Sequence, residues 1–306
     1  MKKVLMLLSN AFKPDPRVHR EAVALTEQGI DVEIVCWDRD FDHPENEFID
    51  GIKVTRVFVR STHGRGSSQL FFLFLFWLKC FFTCLGKKQI DAVHAHDFDT
   101  LPLGFILARI LGAKLIYDSH ESYIDMLINI PAWLKKMIFK AENYFLRHTD
   151  LVITVGDILK EFLSVRGAKN VCVVGNWQDP EKFIFPEDKK KQLKEKLGVS
   201  ADQLVIVFIA HLGVERQLPQ LIDSVKKTPG VFLVLGGYGA CEDMARDAAK
   251  AYPNITYLGY VNPGQIPLYT AISDIVFYGF DPSVPNARFS APNKLFEGLA
   301  GGEVIL

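Results

Sequence analysis

The residues able to do chemistry sit in short polar runs that follow apolar ones. "DSHESY" (118–123) puts His120 just past a buried-looking run that ends near Tyr117, beside Asp118 and Glu121. An imidazole in that position can hydrogen-bond a ligand or carry a proton near neutral pH. "DAVHAHDFDT" (91–100) adds His94, His96, Asp97 and Asp99. Two histidines after a strand are half of a zinc set, and Asp97-Phe-Asp99 has the spacing of a carboxylate pair that holds a divalent ion. His94 and His96 fall on one strand face, and no third or fourth ligand cluster is spaced to complete the set, so the expectation is no metal.

"AHLGVERQL" (210–218) places Arg216 at a helix start, where the macrodipole and free N–H groups favour an anion. A guanidinium there suits a phosphate. "LGGYGA" (235–240) is a glycine-rich turn after a strand, with Gly237 at its centre. In "APNKLFEGL" (291–299), Pro292 suits a first helical turn, leaving the amides around Asn293 and Lys294 open to a diphosphate. Glu297 lies one turn on, within reach of ribose hydroxyls. An anion at the tip with sugar hydroxyls beside a carboxylate describes a nucleotide-sugar site.

Positioning these groups requires strands whose carboxyl ends share an edge. Apolar runs at 4–8, 32–36, 53–59, 92–95, 114–117, 151–155 and 171–174 alternate with helical patterns at about 16–28, 70–85, 101–111 and 132–148. After "GNWQDPEKF" (175–183) comes the charged helix 187–197. A second alternation then places strands at 204–209, 231–235, 255–258, 275–278 and 303–306, with helices at 218–227, 242–251, 265–272 and 292–300. Strands separated by helices imply βαβ units and parallel sheets. The fold class is α/β, with two facing, doubly wound Rossmann-like domains at 1–180 and 181–306. Open sheets of this kind bind ligands beyond their strands' carboxyl ends.

Composition narrows the function. The 306 residues are 49% hydrophobic and 23% charged, with net charge −1. A nucleic-acid partner is not expected without a basic balance. The five cysteines form no CxxC pair and read as reduced thiols of a cytoplasmic protein. The run at 70–85, interrupted by Lys79, is shorter than the roughly 20 residues of a spanning helix and reads as a buried core helix, with a shallow membrane or lipid contact as the alternative. In 131–148, Leu134, Ile138, Ala141 and Phe145 make an apolar stripe. Lys136, Lys140 and Arg147 line the opposite side, with Lys135 beside them. That pattern leads to an expectation of reversible contact with an anionic membrane surface, on its inner face.

The ordered set of segments resembles the family-4 retaining glycosyltransferases, whose GT-B fold joins two Rossmann-like domains. "DPRVHREAVALTEQGIDVEIV", "DAVHAHDFDTL", "LIYDSHES", "DLVITVG…VVGNWQDPEKF", "VERQLPQLIDSV", "LVLGGYG", "ITYLGYVNPGQIPLYTAISDIV" and "PNKLFEGLAGG" occur in that family's order. The resemblance implies catalytic roles for His120, Arg216 and Glu297. His120 would bond the donor sugar, Arg216 would bind the leaving diphosphate, and Glu297 would hold the ribose as the last residue of E-x7-E. Gly237, Asn293 and Lys294 join the donor site, and the Tyr260-Val261 backbone would cradle the base. It further implies an N-terminal acceptor domain and a C-terminal donor domain.

Several positions depart from the family pattern. Phe289 replaces the first glutamate of E-x7-E, and the first basic residue of the phosphate pair is replaced near Ala210-His211. Gln217 stands where a glycine usually follows the arginine, and "SNAFKPD" replaces a Gly-Gly turn. The family continues through further strand and helices, so the second domain is expected to be incomplete at its C-terminus.

The expected activity is transfer of a sugar from a nucleoside-diphosphate sugar to a glycan or lipid-linked hydroxyl, with retention and no cofactor. Its rivals are a nucleotide-sugar epimerase of the same fold and a non-catalytic sugar-binding or partner protein.

Overall fold

The computed structural model describes residues 1–13, 15–61, 69–127 and 130–306; Pro14 of "SNAFKPD" lies outside them. The chain divides into two compact units, Met1–Gly175 and Asn176–Leu306.

The first unit runs β1 (Lys3–Leu8), α1 (Pro16–Glu27), β2 (Asp31–Asp38), β3 (Asn46–Ile49), β4 (Ile52–Phe58), α2 (Gln69–Leu85) and β5 (Ala92–His96). It continues with α3 (Asp97–Leu111), β6 (Lys114–Ser119), α4 (Tyr123–Met126), α5 (Ala132–Leu146), β7 (Leu151–Thr154), α6 (Asp157–Val165) and β8 (Val171–Val173). Among the described residues these strands form one sheet in the order β3-β4-β2-β1-β5-β6-β7-β8. All pairs are parallel except β3 with β4. That hairpin turns at Asp50-Gly51, a strong two-residue turn signal that the sequence reading passed over.

Local chemistry starts and stops the helices. Asp15 accepts the Val18 N–H at 3.2 Å, and Pro16 opens α1. Val18 and Ala22 bury that helix against β1, β2 and β4 in a core of Met6, Leu8, Ile34 and Val54. Gly112 ends α3 in the left-handed conformation that glycine adopts most freely.

Two expectations are corrected here. Helix α2 buries only the stripe Leu73, Phe76, Cys80 and Cys84, while Phe71, Phe74, Leu78 and Phe82 face outward. A single layer on one sheet face covers one stripe, and this helix is apolar all round. On α5 the face opposite the sheet is not purely basic. Trp133, Met137 and Tyr144 stand exposed among Lys136, Lys140 and Arg147. The expected stripe Leu134, Ile138, Ala141 and Phe145 is half-buried, with Phe145 against Phe98 and Phe105. The fully buried anchors beside it are Leu146 and Glu142, whose carboxylate takes the Tyr117 hydroxyl at 3.1 Å and pairs with Arg166.

The second unit holds α7 (Glu187–Leu197), β9 (Leu204–Ile209), α8 (Leu218–Val225), β10 (Val231–Gly236), α9 (Glu242–Ala251), β11 (Ile255–Tyr257), α10 (Ile266–Ala271), β12 (Ile275–Val276), α11 (Asn293–Gly301) and β13 (Val304–Ile305). Its parallel sheet has the order β11-β10-β9-β12-β13. Phe208, Leu233 and Leu235 fill one side with Leu218, Ile222 and Ala245. Val205, Val207, Phe232, Val234 and Val261 fill the other.

Candidate functional site

In the first unit, a charge network lies where β5 and β6 end. Asp118, fully buried, takes the Arg17 guanidinium on Oδ1 at 2.8 Å. Its Oδ2 lies 3.2 Å from His120 Nε2, 3.5 Å from His96 Nδ1 and 3.7 Å from His94 Nε2. Arg17 also bonds Glu21 at 3.0 Å, one turn along α1. The other face of His120 looks toward Asp97, with Nδ1 3.9 Å from Oδ2. Asp97 opens α3 at φ +60°, a left-handed conformation that a short polar side chain tolerates better than most.

The electrostatics follow from that arrangement. Burial pulls the His120 imidazolium down, but the Asp97 and Asp118 carboxylates outweigh it and raise its pKa to about 9. Burial with the His94 ring alongside lowers His96 to about 3, so His96 is neutral. Burial opposes the Asp118 anion, yet His120 and the other histidines hold its pKa well below the usual carboxylate range. Glu21 goes the other way: burial and the Asp118 charge raise it to about 7 despite Arg17.

The expectation that nothing completes a ligand set around His94 and His96 is corrected. Asp118 and Glu21 bring it to four, with all four candidate atoms within 4.8 Å of one another. Residues 24 and 73 positions away in sequence cannot be seen as neighbours before the sheet forms. The donor set nevertheless fits a metal poorly. Arg17 already occupies one oxygen of Asp118, and His120 supplies a second positive charge at the other. Asp99 is committed too, accepting Tyr123 Oη and Ser9 Oγ. The "DFDT" residues are the first turn of α3, not a loop.

In the second unit, four strand ends bring the remaining candidates to one edge. After β9, Arg216 closes a 3-10 turn, Val214–Arg216, and does not open α8 as expected. Gln217 takes φ +55°, which interrupts the helical path, so α8 starts at Leu218. The helix-dipole argument therefore falls away, and the cation itself remains. Its guanidinium carbon stacks 4.3 Å over the Phe280 ring. Nε is buried with no hydrogen-bond partner among the described residues. Glu215 O accepts the Asp281 N–H at 2.7 Å, locking this loop to the one after β12.

After β10, Gly237 has φ +118°, and a Cβ on it would stand 1.8 Å from Ala210 O. Only glycine fits there. Its own N–H is committed to Gly259 O at 2.7 Å. After β11, Val261 is core and Tyr260 is exposed, its ring centroid 6.3 Å from the equally exposed Tyr238.

After β12, Pro292 precedes α11 with no side-chain cap, and the Asn293 and Lys294 amides have no partner among the described residues. Lys294 pairs with Glu297, which is 9% exposed. Asn176 donates to Ala291 O at 2.6 Å, and Trp177 packs edge-on to Phe296, bracing this helix start. Phe289 is buried, so a carboxylate at that position would be desolvated.

The structure thus gathers Arg216, Gly237, Tyr260, Val261, Asn293, Lys294 and Glu297 on one sheet edge of the second unit, and His120 at a sheet edge of the first. Sequence reasoning missed Arg17, Glu21 and Asn176. A signal existed for two of them: Arg17 and Glu21, spaced i,i+4, flank the buried Val18 and Ala22 on an otherwise amphipathic helix.

Comparison with known proteins places the fold. The model of the glycosyl transferase 4-like domain matches residues 14–177. The alpha-monoglucosyldiacylglycerol synthase of Acholeplasma laidlawii is 23% identical over 231 residues, covering 69% of this chain and 58% of that protein. A second curated relative, from Bacillus subtilis (strain 168), is 26% identical over 70% of this chain and 55% of its own length. The matches span little more than half the length of these relatives. Among solved structures, sucrose-phosphate synthase from Thermosynechococcus elongatus superposes with TM-score 0.75 at 14% identity, over 100% of this chain and 80% of that one. Anabaena Alr3699/HepE, solved with UDP and glucose, gives TM-score 0.70 at 17% identity over the same shares. The shared fold is GT-B.

Proposed function

Because the chain belongs to the glycosyl transferase 4-like family, we propose that it transfers a hexose-type sugar from a nucleoside-diphosphate sugar to a hydroxyl acceptor. The acceptor is a glycan or a lipid-linked sugar met at the anionic inner face of a membrane, and the anomeric configuration is retained. The observation that carries this reading is Arg216: a half-buried cation, oriented by Phe280, whose Nε lacks a partner at the carboxyl edge of the second sheet. The free amides of Asn293 and Lys294 follow the neighbouring strand.

The chemistry needs no protein nucleophile. The bond between the anomeric carbon and the diphosphate oxygen breaks while the acceptor oxygen bonds to the same face of that carbon. The acceptor's proton passes to the departing diphosphate. Arg216 and the α11 amides stabilise the charge growing on that leaving group. His120, held as an imidazolium, hydrogen-bonds the donor sugar. Glu297 takes the ribose hydroxyls, and Tyr260 flanks the base. With cation and helix terminus at the diphosphate, no metal is required. The UDP and glucose of the HepE structure and the diacylglycerol in the relative's name support donor and acceptor of these classes. Phe289 favours a second reading, a sugar-binding partner protein that does not turn over.

Isothermal titration with UDP, GDP and ADP tests the assignment. At least one should bind, and Arg216→Ala should weaken it by about 1.5–3 kcal/mol, the range for hydrogen bonds to a charged group. Unchanged affinity would remove Arg216 from the site.

A further inference from the structure

The described residues include no helix long and apolar enough to cross a membrane. Yet the first unit carries an outward face that ordinary solvated surface does not explain. On α2, Phe71, Phe74, Leu78 and Phe82 recur at i, i+3, i+7 and i+11, with Phe71, Phe74 and Phe82 62%, 58% and 64% exposed. Helix α3 packs between α2 and α5. Its outer side shows Ile106, Arg109 and Ile110. On α5 the outer side shows Trp133, Lys136, Met137, Lys140 and Tyr144. Contiguous apolar area of this kind marks an interaction surface.

Charge says what covers it. The three helices contain only the acids Asp97, Asp99 and Glu142: Glu142 is buried, and Asp97 and Asp99 lie in the first turn of α3, at the end that faces the His120 network. The cations on the same helices point out with the aromatic side chains. A chain of net charge −1 thus places no carboxylate among the outward aromatic and basic residues of this layer. A second copy of the chain is a poor occupant. Two-fold self-association would set this basic face, with Arg109, Lys136 and Lys140, against an identical basic face carrying no acid to pair with it. Phenylalanines that enter the acyl boundary, a tryptophan and tyrosine at headgroup depth, and lysines that reach phosphates match an interfacial helix face.

We propose that the outer faces of α2, α3 and α5 form one surface that lies on an anionic lipid bilayer, with α2 in its plane. This rests on the membrane part of the proposed function and names the face that does it. It makes no use of the donor-site residues in the second unit, so the two readings can fail separately.

The test is partitioning of the protein onto vesicles of phosphatidylglycerol mixed with phosphatidylcholine, against phosphatidylcholine alone. Binding should favour the anionic vesicles and fall as salt shortens the Debye length. Lys136→Glu with Lys140→Glu should lower the partition coefficient by more than about tenfold, at roughly 1 kcal/mol per basic residue. Phe71→Ser with Phe74→Ser should lower it further, at any salt. Lipids brominated on the acyl chain should quench tryptophan emission in the wild type, and Trp133→Phe should abolish most of that quenching. Circular dichroism and thermal unfolding on each variant separate loss of docking from loss of fold. Variants that fold and still partition like the wild type would overturn the proposal. So would equal binding to neutral and anionic vesicles, or sedimentation as a dimer with no vesicle binding.

Discussion

Asp118 is reached by Arg17 and His120 at once, with the stacked rings of His94 and His96 beside it. Such a buried carboxylate stays ionised only because cations face it. The same contact keeps His120 charged. His120 carries a folded pKa of about 9 against about 6.5 when unfolded, so its contribution to stability is complete below pH 6.5 and is lost as pH rises through 9. Glu21, raised to about 7, adds loss between roughly pH 4.5 and 7. We therefore expect the unfolding free energy to fall from pH 6.5 to 9, and His120→Gln to flatten that stretch of the profile. Proton NMR should place the His120 titration near 9 in the wild type and near its ordinary value in Asp118→Asn. A wild-type midpoint near 6.5 would contradict the network. His120 was legible in the sequence because it follows a buried strand. Arg17, which shares Asp118 with it, was not, because 101 residues separate Arg17 from Asp118 and only the β1–β5–β6 order brings them together.

At the scale of elements, two positions where glycine was expected share a backbone feature. Gln217, where the resemblance led to an expected glycine, has φ +55°, and Phe12, in the segment standing where a Gly-Gly turn was expected, has φ +66°. Both non-glycine residues adopt the left-handed conformation that glycine takes most freely. A side chain in that region costs roughly 1–2 kcal/mol relative to what glycine would lose there. Gln217→Gly, at a half-buried position with no side-chain cap bond, should raise stability by about 1 kcal/mol in urea unfolding. A loss would mean that the glutamine side chain holds the turn. Phe12 is the poorer test, since its ring is buried in the α1 core.

Most strands and long helices were readable from apolar period. The short ones were not. Helix α6, with its own amphipathic period, was passed over between two strands, and β3 was hidden by polar neighbours. The outward face of α2 was unreadable for a different reason. A helix apolar on every side does not announce which stripe the sheet will cover.

For the whole molecule, the two sheets bear the chemistry unequally. The second unit gathers the groups suited to a diphosphate and ribose on the edge formed by β9 through β12. The first offers a charged histidine and the apolar, basic outer face. That division was legible from the loops after strands, since parallel sheets present those loops at one edge. The interplay of Asn176 with α11 was not, because a linker residue and a late helix meet only when the second unit closes.

The central claim is retaining transfer without a metal. It is tested most directly by incubating the chain with α-configured nucleoside-diphosphate sugars and membrane-derived glycolipid or glycan acceptors, in excess EDTA. The new linkage is then assigned by proton NMR from the coupling constant of its anomeric hydrogen. The account predicts release of the nucleoside diphosphate and an α-linked product, both undiminished by the chelator. A β-linked product, or transfer that stops in EDTA and returns with a divalent ion, would contradict it.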